Sequence, residues 1–348
     1  MHGNRCRESG SIRRTQPNYN VVVHPLGEFV VAPVLNICEN TLDDAMRQVL
    51  SHLLTKGHSI SPRKGSALEH VGAAIEIRNP LARASRSLGR SRILSALGEF
   101  LWYLSGTDES GMISYYIPEY RTFEVDNRLE GAYGPRLFGS QGQLEQVIQT
   151  LHDRPDSRQA IAQIFRFEDL KNQKDVPCTV SLQFFSRSSA LHLVVNMRSN
   201  DAYIGLPHDV FAFTMIQEIV ARRLGLQLGT YFHFVGSLHL YDAQRDRAEA
   251  FLAEGWQSPQ QMPEMPEVEI AHSLASLVEA EQRIRISGSI EAEMAALGSE
   301  PYWDDLKRLL LAKATRDPRV LNQIYDALSD PYYRIYVSDR LQRNEVLI

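Results

Sequence analysis

A cysteine just ahead of a strand pair, and an arginine-aspartate turn that runs straight into a helix, constrain this chain more than any other stretch. Val176-Pro177-Cys178-Thr179 precedes two β-rich runs, residues 180–186 and 191–197, whose connection through Arg187-Ser188-Ser189 predicts a hairpin. The second run continues into Met197-Arg198-Ser199-Asn200-Asp201 and then Gly205-Leu206-Pro207-His208-Asp209, after which residues 211–224 read as a helix stopped at Gly225. Gly236-Ser237-Leu238-His239-Leu240-Tyr241 closes the stretch, with His239 and Tyr241 two apart and so on one face of a strand. A soft nucleophile is thereby set beside an anion site, a pairing that a packed core does not require.

The flanking segments supply the rest of an α/β architecture. A strand is expected at residues 28–32, and Thr41 with Asp44 resembles a capping box that opens an amphipathic helix ending near Gly57. Arg63 and Lys64 lie in a polar loop with Gly65 and Ser66; alone it reads as a solvated basic turn, although those groups can hold an anion. Residues 73–77 read as strand, and residues 93–104 as a helix apolar almost all round, which puts Glu99 in a setting where a carboxylate needs a partner or a task. Residues 115–139 read as irregular loop, 144–152 as a short helix, 160–165 as a strand and 267–348 as mostly helical.

At 348 residues the chain has length for a sizeable core, and no apolar run approaches the roughly 20 residues that would span a membrane. The net charge of −5 argues against polymeric nucleic acid as a partner but leaves room for local arginines on a small phosphate. The first residues lack the apolar segment of a secretory signal, and Cys6, Cys38 and Cys178 have no metal-ligand spacing, so a cytoplasmic protein without a metal is expected.

In order along the chain, Arg63, Gly98-Glu99-Phe100-Leu101-Trp102, Tyr133-Gly134, Ser157-Arg158, Pro177-Cys178, Arg198-Ser199-Asn200-Asp201, Gly205-Leu206-Pro207-His208-Asp209 and His239-Leu240-Tyr241 resemble the thymidylate synthase family, which includes the pyrimidine nucleotide hydroxymethylases. The resemblance implies a large mixed, twisted sheet packed by helices. The expected organisation is an N-terminal extension at 1–35, a catalytic core at 36–245 and a helical C-terminal extension at 246–348 packing on the core. It implies a homodimer through sheet faces, with Arg158 reaching into the neighbouring site.

The same resemblance implies Cys178 as the nucleophile that adds to C6 of a pyrimidine, with Arg198 lowering its pKa, Glu99 with a raised pKa organising water and proton transfers, and Tyr133 assisting proton removal from C5. Arg63, Arg158, Arg198 and Ser199 correspond to phosphate ligands, His239 and Tyr241 to the pair on the sugar hydroxyl, and Asp201 to a residue shared by substrate and folate. Trp102, Tyr116 and Tyr120 form the expected wall for 5,10-methylenetetrahydrofolate. Gln159 stands where the family usually has a second arginine.

Asp209 departs most. Enzymes acting on uracil typically carry Asn there, whereas the family's cytidylate hydroxymethylases carry Asp; alone, Asp209 reads equally as a helix-start residue complementing the dipole. With tyrosines and Phe123 in place of the usual folate-packing tryptophans, the resemblance points to a (deoxy)cytidylate 5-hydroxymethylase acting on CMP or dCMP. A dUMP methylase is the alternative, and a silent nucleotide- or RNA-binding regulator a third reading. His208 replaces a usually apolar aromatic residue without an assigned role.

Overall fold

The computed structural model describes residues 33–87, 93–140, 142–171, 174–288, 290–298 and 300–345; the strand expected at 28–32, together with Cys6 and Arg90, lies outside the described residues. From Pro33 onward the described residues form one compact unit. Seven strands build one sheet: β1 (Leu35–Glu39), β2 (His58–Ile60), β3 (Ala67–Ile77), β4 (Ile161–Gln163), β5 (Thr179–Arg187), β6 (Ala190–Asp201) and β7 (Gln227–Tyr241), in the order β1-β3-β7-β6-β5-β4 with β2 on β3. The pairs β1–β3 and β6–β7 are parallel and the others antiparallel, so the expected mixed sheet is what the chain forms.

Local chemistry explains the central strands. On β7, buried Tyr231, His233 and Val235 alternate with half-buried Phe232 and exposed Phe234, the period of a strand with one face on a core. The β5–β6 hairpin turns through Ser188 and Ser189 with φ of 51° and 62°, the left-handed pair that a tight two-residue turn requires. A bulge between Thr179 and Ser181 breaks the register on β6 and redirects the chain at Cys178.

Two helices set the inner layer. Helix α1 (Leu42–Lys56) is capped by Thr41, whose Oγ1 accepts from Asp44 N–H at 3.1 Å, as expected. Helix α2 (Ile93–Leu104) is buried on most of its circumference. After it come short turns that sequence patterning reads as loop: α3 (Ser110–Tyr116), a 3-10 turn at Pro118–Thr122 and α4 (Gly134–Leu137), followed by α5 (Gln143–Asp153). Helix α6 (Gly205–Arg223) packs against α2 and against β6. It begins six residues ahead of the expected start at 211, because Pro207 falls in the first turn, where a missing N–H is no loss. Gln217, fully buried on α6, donates to the carbonyls of Leu191 (2.9 Å) and Gly229 (3.0 Å), stitching the helix to β6 and β7.

After α7 (Arg245–Ala253) and an irregular run to residue 269, the described residues are mostly helical, as expected: α8 (Ile270–Ser287), α9 (Ile290–Ala295), α10 (Pro301–Ala314), α11 (Pro318–Ala327) and α12 (Arg334–Glu345). Fully buried Glu218 of α6 accepts from Arg83 at 2.6 Å and from Met265 N–H at 2.7 Å, tying the sheet's helix to the segment that leads into α8. Removing one partner of such a pair leaves a buried charge unmatched and typically costs about 3–5 kcal/mol. Trp303, Leu306, Leu309 and Leu311 of α10 and Tyr336 and Val337 of α12 belong to the same apolar core as the sheet. No helix among the described residues is long and apolar enough to cross a membrane.

Candidate active site

A cavity of about 950 Å³ opens where the ends of β5 and β6 meet the first turns of α6. Its nucleophile end is built by one guanidinium. Arg198 Nε donates to the carbonyl of Pro177 and Nη2 to that of Val176, each at 2.8 Å, while its backbone N–H donates to the Cys178 carbonyl at 2.9 Å. The Val176-Pro177-Cys178 segment is thus clamped to β6, with Cys178 Sγ 3.7 Å from Arg198 Nη2. Burial pushes the Cys178 thiol above its ordinary pKa, and the positive charges of Arg198 and Lys64 only partly offset that. Arg198 lowers the thiol's pKa, as expected, but desolvation outweighs the cation and the net shift is upward.

Arg63, Lys64 and Lys174 face the same end of the cavity as Arg198 and Ser199, so three elements converge on one cationic corner. Arg63 Nη2 lies 3.5 Å from the Lys174 carbonyl, and the Lys64 ammonium sits 4.3 Å from the centre of the Phe123 ring. Tyr133 arrives from the other side. Gly131 N–H donates to Asp175 at 2.7 Å, which holds that loop against the segment ahead of Cys178, and the Tyr133 hydroxyl accepts from Thr179 N–H at 3.1 Å. Burial and the nearby Cys178 and Asp209 charges push the Tyr133 phenol well up, so it stays a neutral hydroxyl one residue from the thiol.

Glu99 and Asp209 are two carboxyls with opposite environments. Glu99 is 5% exposed, and its Oε1 accepts from Tyr120 (2.6 Å) and Tyr103 (3.2 Å) while Oε2 lies 3.0 Å from His208 Nδ1. Burial pushes this carboxyl up, but His208 and the two hydroxyls outweigh it and hold Glu99 below its ordinary pKa. This corrects the expected raised pKa, and it gives His208 a partner that no sequence signal supplied. Asp209 goes the other way: burial, reinforced by the charges of Glu99 and Asp201, pushes it well up, with the Asn200 hydrogen bond only partly offsetting. Burial thus favours the protonated form of this carboxyl, the reverse of Glu99.

A buried relay orients that acid. Asn200 Nδ2 donates to Asp209 Oδ2 at 2.7 Å, Asn200 Oδ1 lies 2.9 Å from His233 Nε2, and His233 Nδ1 lies 2.8 Å from the Tyr231 hydroxyl. Burial pulls His233 down to about 3, so it is neutral. Its Nε2–H then donates to the Asn200 carbonyl oxygen and its Nδ1 accepts from Tyr231, which turns the Asn200 amide nitrogen towards Asp209. With Oδ2 accepting from Asn200, the Asp209 proton is favoured on Oδ1.

The remaining expected residues divide. Trp102, Tyr116, Tyr120, Asp201 and Tyr241 line the cavity. Asp201 Oδ1 also accepts from the N–H groups of Tyr203 and Ile204, each at 2.8 Å, capping the turn into α6. The Tyr116 hydroxyl donates to Glu281 of α8 at 2.9 Å, and its ring lies where any side chain at residue 98 would stand, a Cβ on Gly98 meeting it at 2.2 Å. Trp102 Nε1 is buried with no hydrogen-bond partner among the described residues. His239 packs edge-on against Tyr241, ring centres 4.8 Å apart, but does not itself line the cavity. Arg158 is exposed and lies outside the cavity in a single subunit. Lys313, Tyr336, Asp339 and Arg340 of the C-terminal helices complete the wall, and no sequence signal pointed to them. Among the described residues no group of three or more histidines, cysteines and acids is placed to hold a metal ion.

A thiol beside arginine and lysine side chains, with two carboxyls whose pKa values are shifted in opposite directions, is the layout of covalent catalysis on a small anion. Residues 45–283 match the thymidylate synthase family, and the chain belongs to it. A deoxyuridylate hydroxymethyltransferase of Bacillus phage SP01 is 31% identical over 211 residues, which cover 56% of this chain and 55% of the relative. The chain thus spans about half the length of the curated relative it matches.

The Cys178 environment makes a direct prediction. Alkylation by iodoacetamide, followed at the Cys178 peptide by mass, has a midpoint pH above that of an ordinary thiol. Arg198→Ala, which removes the nearest cation, moves that midpoint further up and slows alkylation at pH 8 severalfold. A midpoint that stays put or falls in the variant contradicts the clamp's electrostatic role.

Proposed function

We propose that the protein is a one-carbon transferase that hydroxymethylates C5 of a pyrimidine nucleoside monophosphate, with a cytosine nucleotide as the preferred substrate. Cys178 adds to C6 while Arg63, Arg198 and Ser199 hold the phosphate, so C5 becomes the carbon nucleophile. Methylenetetrahydrofolate supplies the one-carbon unit at the oxidation level of formaldehyde. The aromatic surfaces of Trp102, Tyr116 and Tyr120 fit its flat ring, and the unpartnered Trp102 Nε1–H fits a polar edge on it. Tyr133, a neutral hydroxyl beside the thiol, assists loss of the C5 proton. Water then adds to the C5 methylene near Glu99, and elimination of Cys178 frees the product with no hydride transferred.

One observation carries the choice of base: a buried carboxyl, Asp209, whose pKa burial raises and whose Oδ2 accepts from Asn200, stands where enzymes acting on uracil typically carry an amide. In its protonated form, which burial favours, Oδ1–H donates to N3 of cytosine while the second lone pair of Oδ2 accepts from the N4 amino group, the pattern that edge presents. The name of the phage relative supports a second reading, a uracil nucleotide, for which the same acid donates to O4 and accepts from N3–H. Incubation with methylenetetrahydrofolate and each of CMP, dCMP, UMP and dUMP, with products identified by mass, separates the two. We expect the hydroxymethyl cytosine nucleotide without dihydrofolate absorbance, and Asp209→Asn to shift preference towards uracil. Conversion of dUMP with both cytosine nucleotides inert would sink the choice of base, and dihydrofolate formation the hydroxymethyl outcome.

The same reading includes a second copy of the chain on the bare face of the sheet. Val71 (60% exposed), Ile161 (46%) and Phe234 (42%) stand on strands there without a covering layer, and Arg158 lies exposed beside β4. Phe234→Lys is expected to give a monomer by sedimentation that has lost most of its turnover. A fully active monomer would show that each site is complete within one chain.

A further inference from the structure

His208 is the residue the preceding mechanism leaves without a task, and its surroundings give it one. It stands in the first turns of α6, 6% exposed, and lines the cavity with Ser95, Glu99 and Asp209. Its Nδ1 lies 3.0 Å from Glu99 Oε2 and its Nε2 lies 3.2 Å from Ser95 Oγ. An ionised Glu99 can accept but not donate, so the ring proton belongs on Nδ1, which leaves the Nε2 lone pair facing the serine hydroxyl and the cavity. A hydroxyl, an imidazole and a carboxylate in line form the arrangement in which a carboxylate fixes the tautomer and stabilises the imidazolium that forms when the ring takes a proton. Ser95 lies in α2, on a regular helix with no strained turn to present its hydroxyl, so the ring nitrogen and not the serine oxygen is the reactive end of the line.

We infer that His208, backed by Glu99 and facing Ser95, is the base that takes the proton of the water added to the C5 methylene. The inference rests on the hydroxymethylase reading and names the residue that takes the proton in its water-addition step. The water oxygen bonds to the exocyclic carbon, the C5-methylene π electrons move into the ring, and the water proton passes to Nε2, directly or through Ser95 Oγ. The C6–S bond then breaks, its electrons leave with Cys178 as thiolate, and the imidazolium returns its proton to solvent. No oxidant or reductant is needed. An apolar aromatic side chain at residue 208 would leave Glu99 without this partner and the cavity without this basic nitrogen, which links the residue type to the choice of water over hydride.

The test uses the full chain, the nucleotide it converts, methylenetetrahydrofolate and added β-mercaptoethanol, a thiol that captures the methylene carbon as a thioether. In His208→Phe, hydroxymethyl product is expected to fall on the order of 10²-fold while the thioether becomes the main product and nucleotide Kd stays within about threefold. His208→Gln keeps an N–H for Glu99 but has no basic nitrogen, and it is expected to share the loss. Full rescue by Gln would reduce His208 to a positioning role, and an unchanged ratio of hydroxymethyl product to thioether in both variants would remove it from the water step; either overturns the inference. Methyl product and dihydrofolate from the wild-type chain would overturn it together with the hydroxymethylase reading. Wild-type hydroxymethylation left intact in both variants would overturn this inference alone.

Discussion

The Arg198 guanidinium is the interaction on which the site depends. Its Nε and Nη2 are committed to the carbonyls of Pro177 and Val176, so the cation is fixed before any ligand arrives, and the segment it fixes is the one that carries the thiol. Sequence order explains why this works: β5 leaves Cys178 through a bulge and returns as β6 to the same level, bringing residue 198 opposite residue 178. A planar, rigid fork suits the task, since lysine would offer a point charge without fixed directions. Burial still leaves the free thiol poorly acidic, so the guanidinium offsets part of the cost of desolvating a thiolate at this place.

Two carboxyls, Glu99 against the His208 ring and Asp209 next to it in the chain, show how one cavity separates acid from base. Glu99 is held below its ordinary pKa by an imidazole and two tyrosine hydroxyls, and Asp209 is pushed well above its own by burial and by the charges of Glu99 and Asp201. Neither state is a property of the residue type. Each follows from what the neighbouring helix and strand present, and the relay from Tyr231 through His233 and Asn200 extends that control to the side of Asp209 on which its proton sits.

Elements with strong local signals were legible in the sequence. The Thr41 cap, the apolar α2 and the serine-turned hairpin follow from local chemistry, and the ordered motifs named residues such as Cys178, Glu99, Tyr133 and Asp209 that converge on one cavity. Short β1 and β2 carry too few residues for a period, and Gly205-Leu206-Pro207 reads as a helix breaker although Pro207 is harmless in a first turn. Protonation states were not legible, because they depend on partners far apart in sequence, as the 109-residue separation of His208 from Glu99 illustrates. The contribution of Lys313, Tyr336 and Arg340 to the wall was invisible for the same reason.

The central claim is that this cavity delivers water, and not hydride, to a one-carbon unit at pyrimidine C5. Turnover in water enriched in oxygen-18 tests it most directly, with the isolated nucleotide product weighed by mass spectrometry. The account predicts a hydroxymethyl nucleotide carrying one oxygen-18 from solvent in proportion to its enrichment. A methyl nucleotide without the label would contradict it.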